Sequence, residues 1–175
     1  MELTNAIYER RSIRNYTPCE ITEEEIKELI KSAQMAPSWK NSETARFYVA
    51  HSAEARNEVR QRLASFNKER TEGAGAFIVT TVVKGDSGYV RGEPTHLGNG
   101  FECFDNGLAV ENLLLKAHEM GYGTLIMGLY HENELREYFN IPETEAIVVV
   151  IAVGKADASP DAPERKALSE ILTIK

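Results

Sequence analysis

Cysteine is scarce in this chain: Cys19 and Cys103 are the only two in 175 residues. Two cysteines cannot build a disulfide framework, and their positions match neither CxxC nor zinc-ligand spacing. The histidines (His51, His96, His118, His131) lie far apart with no HxxxH pair, so no metal site is expected. No run approaches the ~18 apolar residues of a membrane span, and the opening MELTNAIYERR has no apolar stretch of signal-peptide length. The expectation is a cytoplasmic protein with no membrane partner. Positive charge is in deficit, since 20 Lys+Arg against 27 Asp+Glu leave a formal charge of −7. A nucleic-acid surface needs clustered cations to neutralise phosphates, so no nucleic-acid partner is expected, although a small anion site remains open. P-loop and GxSxG motifs are missing. Gly121, Gly123 and Gly128 are not a dinucleotide fingerprint either, because that motif opens a helix after a strand and these glycines close a helix before one. No histidine sits beside a Ser or Cys nucleophile in a known motif. Catalysis by side chains therefore has little support, and a cofactor is expected to carry any chemistry.

What is present is ordinary for a globular chain: 42 % apolar and 27 % charged residues. The length suits one domain spanning 1–175, able to bury about 70 % of its unfolded surface. Thr4 is placed to cap a short helix over 5–11. Residues 12–21 read as loop. Thr22-Glu23-Glu24-Glu25 is a capping box, followed by Ile26, Leu29, Ile30 and Ala33 at helical spacing up to Ala36-Pro37. Strands are predicted at 47–50, 76–83, 124–127 and 146–153. Helices are predicted at 53–64, after a Ser52 cap, at 104–120, and around 135–139. Residues 84–100 hold five glycines and Pro94, which suggests a mobile loop or lid. Residues 155–175 read as an extended tail. Helices and strands mix without strict alternation, so the expected class is α+β, a sheet with helices on both faces.

Three groups of residues could carry function. Arg10-Arg11-Ser12-Ile13-Arg14 puts three guanidinium forks and a hydroxyl into five residues, a combination suited to gripping phosphate. The plain alternative is that arginines near a helix C-terminus only complement its dipole, worth about 0.3–1 kcal/mol. Pro37-Ser38-Trp39-Lys40-Asn41 combines a fixed backbone, polar groups and an aromatic ring, which suits a flat heteroaromatic ligand; a plain helix-ending loop is the alternative. Gly128 after Met127 could let a ligand approach the backbone, or could simply end a strand. Asn67 and Arg70 precede a strong strand and could reach a ligand, but read alone they belong to a solvated helix end. Arg165-Lys166 reads alone as a solvated basic pair.

Taken in order, these segments resemble the FMN-dependent nitroreductase family over about residues 3–171. The resemblance rests on Arg10–Arg14, on Ala36-Pro37-Ser38-x-x-Asn41, on the helix Gly107–Leu115 followed by Gly121-x-Gly123-Thr124, and on Val153-Gly154-Lys155 with Arg165 beyond. It implies a nitroreductase-like three-layer fold, a homodimer, and FMN at the subunit interface. Arg10, Ser12 and Arg165 would hold the phosphate, with Arg11 close by and Arg14 near the polar edge of the ring system. Pro37, Ser38 and Asn41 would come from the second subunit, with Met127, Gly128, Asn67 and Arg70 also near the flavin. The implied reaction is a ping-pong transfer of two electrons from NADH or NADPH to a small-molecule acceptor such as a nitroaromatic or quinone. Reductive dehalogenation, or a flavin carrier or sensor with little turnover, are the rival readings. The run Ser42-Glu43-Thr44-Ala45-Arg46 departs from the Ser-Gln-Pro-Trp of many members, and Trp39 and Lys40 replace positions that are often small.

Overall fold

The computed structural model describes residues 2–175. A short helix α1 (Leu3–Glu9) leads through the two-residue strand β1 (Tyr16–Thr17) to α2 (Glu23–Gln34). The α2 start is the expected capping box: Thr22 Oγ1 accepts from Glu25 N at 3.2 Å, and Glu25 Oε2 accepts from Thr22 N at 2.9 Å. A single 3-10 turn at Trp39–Asn41 then precedes β2 (Ala45–Ala50), α3 (Ala53–Gln61), α4 (Ser65–Arg70) and β3 (Ala76–Val83). A miniature hairpin, β4 (Tyr89–Val90) and β5 (Glu93–Pro94), comes before the long helix α5 (Gly100–Glu119). The chain ends with β6 (Gly123–Met127), α6 (Glu132–Phe139), β7 (Glu145–Ala156) and one helical turn, α7 (Leu168–Ile171).

The main sheet is antiparallel throughout and is organised by β7. That strand pairs with β3 along Ala76↔Val153 to Val83↔Glu145, with β6 along Gly123↔Gly154 to Met127↔Val150, and with β1 at its end. β2 closes the far edge against β3. Both faces are covered, which explains the near-continuous apolar runs of β3 and β7. On one face Phe77, Val79, Val150 and Ala152 pack with Val59, Leu63 and Leu135 from the α3 and α6 side. On the other, Ile78, Ile151 and Val153 pack with Leu29 of α2 and Val110, Leu113 and Leu114 of α5. The architecture is the expected α+β sandwich of a sheet between helices.

Several local expectations are corrected. α1 ends at Glu9, so the arginine motif lies outside the helix, with Arg10 in extended backbone. Thr4 does not cap; Glu2 stands at the N-cap and makes no side-chain bond. The 12–21 loop contains β1 and a parallel bridge, Ser12↔Thr124. Residues 65–70 form a helix of their own that buries Asn67, so Asn67 is not at a solvated end. The 84–100 segment is held to α5 at its start. Ser87 is fully buried and donates to Asp105 Oδ2 at 2.6 Å, and Gly85 N donates to Glu102 Oε1 at 2.5 Å. α5 starts at Gly100, four residues earlier than its apolar pattern.

Phe77 is buried at the centre of one face, so Phe77→Ala should cost about 3–5 kcal/mol in urea unfolding. Thr22→Ala removes only a surface cap and should cost about 1 kcal/mol in the same experiment.

Candidate functional site

The arginine motif is placed by β6. Ile13 N donates to Thr124 O at 2.9 Å, which lays residues 12–13 along the outer edge of β6. Extended backbone alternates its side chains, so Ile13 turns in and is buried while Arg14 is exposed. Ile13 packs onto Gly123 so closely that a Cβ there would overlap its side chain, a physical reason for glycine at that position. Gly121, at φ +77, makes the left-handed turn that ends α5 and returns the chain into β6. Below this edge Tyr16 is buried and donates its hydroxyl to Ile13 O at 3.1 Å. Desolvation holds its ionisation far above the usual tyrosine range, against an opposing pull from Arg14.

The three arginines divide by role. Arg11 donates to Tyr8 O at 2.6 Å and to Arg10 O at 2.9 Å, so it serves the carbonyls at the end of α1, as the plain reading of the motif required. Arg14 donates only to Ser12 O, at 3.2 Å. Among the described residues, none of the three has an acidic partner within ion-pair distance. Unneutralised guanidinium groups this close in sequence repel one another, and a bound anion would relieve that repulsion.

Further along the same edge β6 ends at Met127, whose side chain is buried in the core, so that only its backbone can meet a ligand. Gly128 is exposed and has open space where a Cβ would stand. α4 closes on this turn: Ala64 N and Asn67 Nδ2 both donate to Leu129 O, at 3.3 and 3.4 Å. Asn67 thus belongs with Gly128 by tertiary contact. Arg70 is exposed, with its guanidinium 5.1 Å above the Phe66 ring. One chain therefore aligns Arg10–Arg14, Thr124–Gly128 and Asn67 along a single sheet edge.

Pro37, Ser38 and Asn41 are not in that group. They precede β2, at the opposite edge of the sheet, with β7 and β3 between. α5 measures the separation. Asp105 lies beside Trp39 and Pro37, whereas His118 lines a cavity of about 410 Å³ with Arg10, Arg11 and Tyr122. The 13 residues from 105 to 118 span about 20 Å of helix. Within the 38–43 loop, Asn41 Nδ2 donates to Glu43 Oε1 at 2.8 Å, Glu43 N donates to Ser38 Oγ at 3.0 Å, and Lys40, Asn41 and Glu43 all have positive φ. Arg165 is exposed in the tail, with no hydrogen bond or ion pair among the described residues.

Two features had not been singled out from the sequence. Glu25 Oε1 accepts from Tyr122 OH at 2.7 Å, and Lys155 Nζ sits 4.2 Å above the Tyr122 ring. Burial, and then the Glu25 carboxylate, push the Tyr122 phenol up to about 12, while Glu25 is held below its usual range by the Thr22 amide and then the Tyr122 hydroxyl. The second is the buried carboxylate pair Glu102 and Asp105 on α5. Its signal was available: the stripe Ala109, Leu113, Ala117, continued one turn earlier, lands on Asp105. No group of three or more potential metal ligands is gathered among the described residues, and none of their helices is long and apolar enough to cross a membrane.

The nitroreductase family model matches residues 7–155. An Archaeoglobus fulgidus protein provisionally named as an NADH dehydrogenase/NAD(P)H nitroreductase is 28% identical over 159 residues, covering 87% of this chain and 84% of its own. The NADPH-flavin oxidoreductase of Vibrio harveyi is 26% identical over 168 residues, covering 91% and 68%. A protein of Exiguobacterium sibiricum 255-15, solved in complex with FMN, superposes with a TM-score of 0.87 over 100% of this chain and 98% of that one, at 23% identity.

The raised Tyr122 ionisation has a defined pH signature. A phenol at about 12 in the folded state against about 10 unfolded favours folding while neutral, so its contribution is complete below pH 10 and is lost as the pH rises from 10 towards 12. Urea midpoints measured from pH 9 to 12 should fall less steeply in Tyr122→Phe than in the parent chain.

Proposed function

This chain belongs to the nitroreductase family, and from that premise we propose that it is an FMN-dependent NAD(P)H oxidoreductase acting as a homodimer. The observation that carries the reading is the line of unneutralised guanidinium groups on the β6 edge, continuous with Gly128 and Asn67. The donor set suits this cofactor. Arg10 and Ser12 offer charge-assisted bonds to a phosphate, and Arg165, free in the tail, can be drawn to the same anion. Arg14, exposed and tied only to Ser12 O, supplies positive charge towards the ring system. The Asn67 amide and the bare backbone at Gly128 offer polar contacts at the other end. When bound, FMN supplies reversible two-electron chemistry between a nicotinamide donor and an acceptor such as a nitroaromatic or quinone, by a ping-pong route. The chain's part is to bind, orient and shield. Among the described residues, no side chain at this edge is placed as a dedicated proton donor, so solvent would serve.

Pro37, Ser38 and Asn41, stranded at the opposite edge, would complete the site from a second copy. The exposed apolar residues Leu3, Ile7 and Tyr8 on α1 and Ile126 on β6 offer surface for that association, and the tail adds Leu168 and Ile171.

Arg10→Ala combined with Arg14→Ala should weaken FMN binding at least about 100-fold, measured by flavin fluorescence quenching, because the pair removes a charge-assisted bond to the phosphate and a guanidinium donor beside the ring system. Unchanged affinity would refute the placement. In stopped flow, NADH or NADPH should bleach the bound flavin and an acceptor should restore its colour; a flavin that neither donor reduces would identify a carrier instead. Sedimentation should give a dimer, and a monomer with stoichiometric FMN would exclude a shared site.

A further inference from the structure

A cavity of about 210 Å³ lies off the start of β3, between α3 and the loop that follows α4. In the sheet β7 stands between β3 and the β6 edge, and none of the residues assigned to the flavin lines this cavity. Buried Phe77 and Ala74 give it apolar lining, with Ala53 and Pro18, and the half-buried Cys19 adds a thiol. Gly73 lies against Tyr16 O, where a Cβ would collide. The rest of the lining is polar. Arg56 and Arg60 stand four residues apart on α3, so they share one helix face with Cβ atoms about 5–6 Å apart. Both are half-buried. Arg56 is fixed through Nη1, which donates to Cys19 O at 3.2 Å and to Gly75 O at 2.9 Å, and its Nε and Nη2 have no partner among the described residues. The Arg60 guanidinium and the Asn57 amide make no hydrogen bond or ion pair there at all. Thr71 is buried and gives its proton to Asn67 O at 2.7 Å, so it offers no donor. Glu72 is the one carboxylate in the lining, exposed and outside ion-pair distance of both arginines. A cation near a helix C-terminus complements the dipole, but the carbonyl of that last turn, Glu58 O, is served by Arg62 instead.

We propose that this cavity binds a phosphoryl group between Arg56 and Arg60, with the Asn57 amide as a further donor. Like charges at this helical spacing repel, and an anion between them reverses the sign. A phosphoryl group carries about −1.5 to −2 at pH 7, which matches two guanidinium groups, and its oxygens accept from both forks at once. The volume lies below the usual range of ligand pockets, so it holds that group with few further atoms and excludes a whole flavin or nicotinamide nucleotide. The claim does not depend on the reading of the β6 edge.

The test titrates protein carrying one FMN per chain with inorganic phosphate at neutral pH, with sodium chloride holding the ionic strength constant. NMR signals of the Arg60 Nε–H and the Asn57 side-chain amide report occupancy at this site alone. Both should shift saturably, with half-saturation below about 10 mM. Arg60→Gln, which breaks no bond within the chain, should weaken binding at least about tenfold as read at Asn57. Glu72→Gln removes a charge of the ligand's own sign and should tighten binding about two- to fivefold. Shifts that do not saturate, affinity unaltered in Arg60→Gln, or weaker binding in Glu72→Gln would overturn the proposal. Glycerol 3-phosphate separates the sources: affinity at least equal to that of phosphate assigns the site to phosphate esters, and lower affinity assigns it to the free ion, the phosphoryl group being the ligand in both. Flavin-free protein should give the same affinity at the same signals. Release of FMN in step with the Arg60 shift would merge the cavity with the flavin site and overturn a separate one. Failure of FMN to bind at all would refute the flavin reading while leaving the flavin-free titration decisive for this one.

Discussion

The hydrogen-bonded pairing of β7 with β3 on one edge and with β6 on the other governs where every other element can sit. β7 is apolar on both faces, so helices must cover both, and α2 and α5 take one face while α3 and α6 take the other. Its register with β6 sets the height of Thr124, and Thr124 in turn fixes Ile13 and Ser12. The arginine motif is therefore held by main-chain bonds to the sheet, with its guanidinium groups left to meet something else. A one-residue slip in that register would exchange the inward Ile13 for its polar neighbours and remove the edge as a binding surface.

The same pairing divides the molecule's polar resources. Cationic side chains without acidic partners collect at the β6 edge, whereas two buried carboxylates, Glu102 and Asp105, lie towards the β2 edge. Those carboxylates are costly to bury, and each is offset by donors from the loops it holds. Asp105 ties Ser87 to Trp39, and the Trp39 ring packs tilted against Phe101 with centroids 4.5 Å apart. The glycine-rich 84–100 segment and the positive-φ loop at 38–43 are thus clamped to one helix. Asp105 and His118 of α5 therefore lie in differently charged surroundings about 20 Å apart.

Much of the fold was legible in the residues. The Thr22 capping box, the Ser52 cap, the run 76–83 and the strand around 146–153 all read correctly, because local hydrogen bonding and apolar periodicity determine them. Short elements were not legible. α4 has six residues and no side-chain cap, and β1 exists only because β7 is there to pair with it. The 84–100 stretch carries glycine and proline as a mobile loop does, yet Ser87 and Gly85 are fixed by α5 carboxylates about twenty residues further on.

For the candidate site, residue type and order singled out Arg10–Arg14, Pro37–Asn41 and Gly128 as segments that could carry chemistry, with plain structural alternatives left open for each. Residue type carries that information: guanidinium forks suit phosphates, and turn residues beside an aromatic ring suit flat ligands. What only the tertiary structure decided was their arrangement. Asn67 joined Gly128 because α4 folds onto the turn after β6. Arg11 was withdrawn to the helix carbonyls, and Pro37–Asn41 went to the far edge of the sheet. Sequence expresses what a side chain can bond to, but strand pairing sets which groups share a surface, and pairing is a property of distant segments taken together.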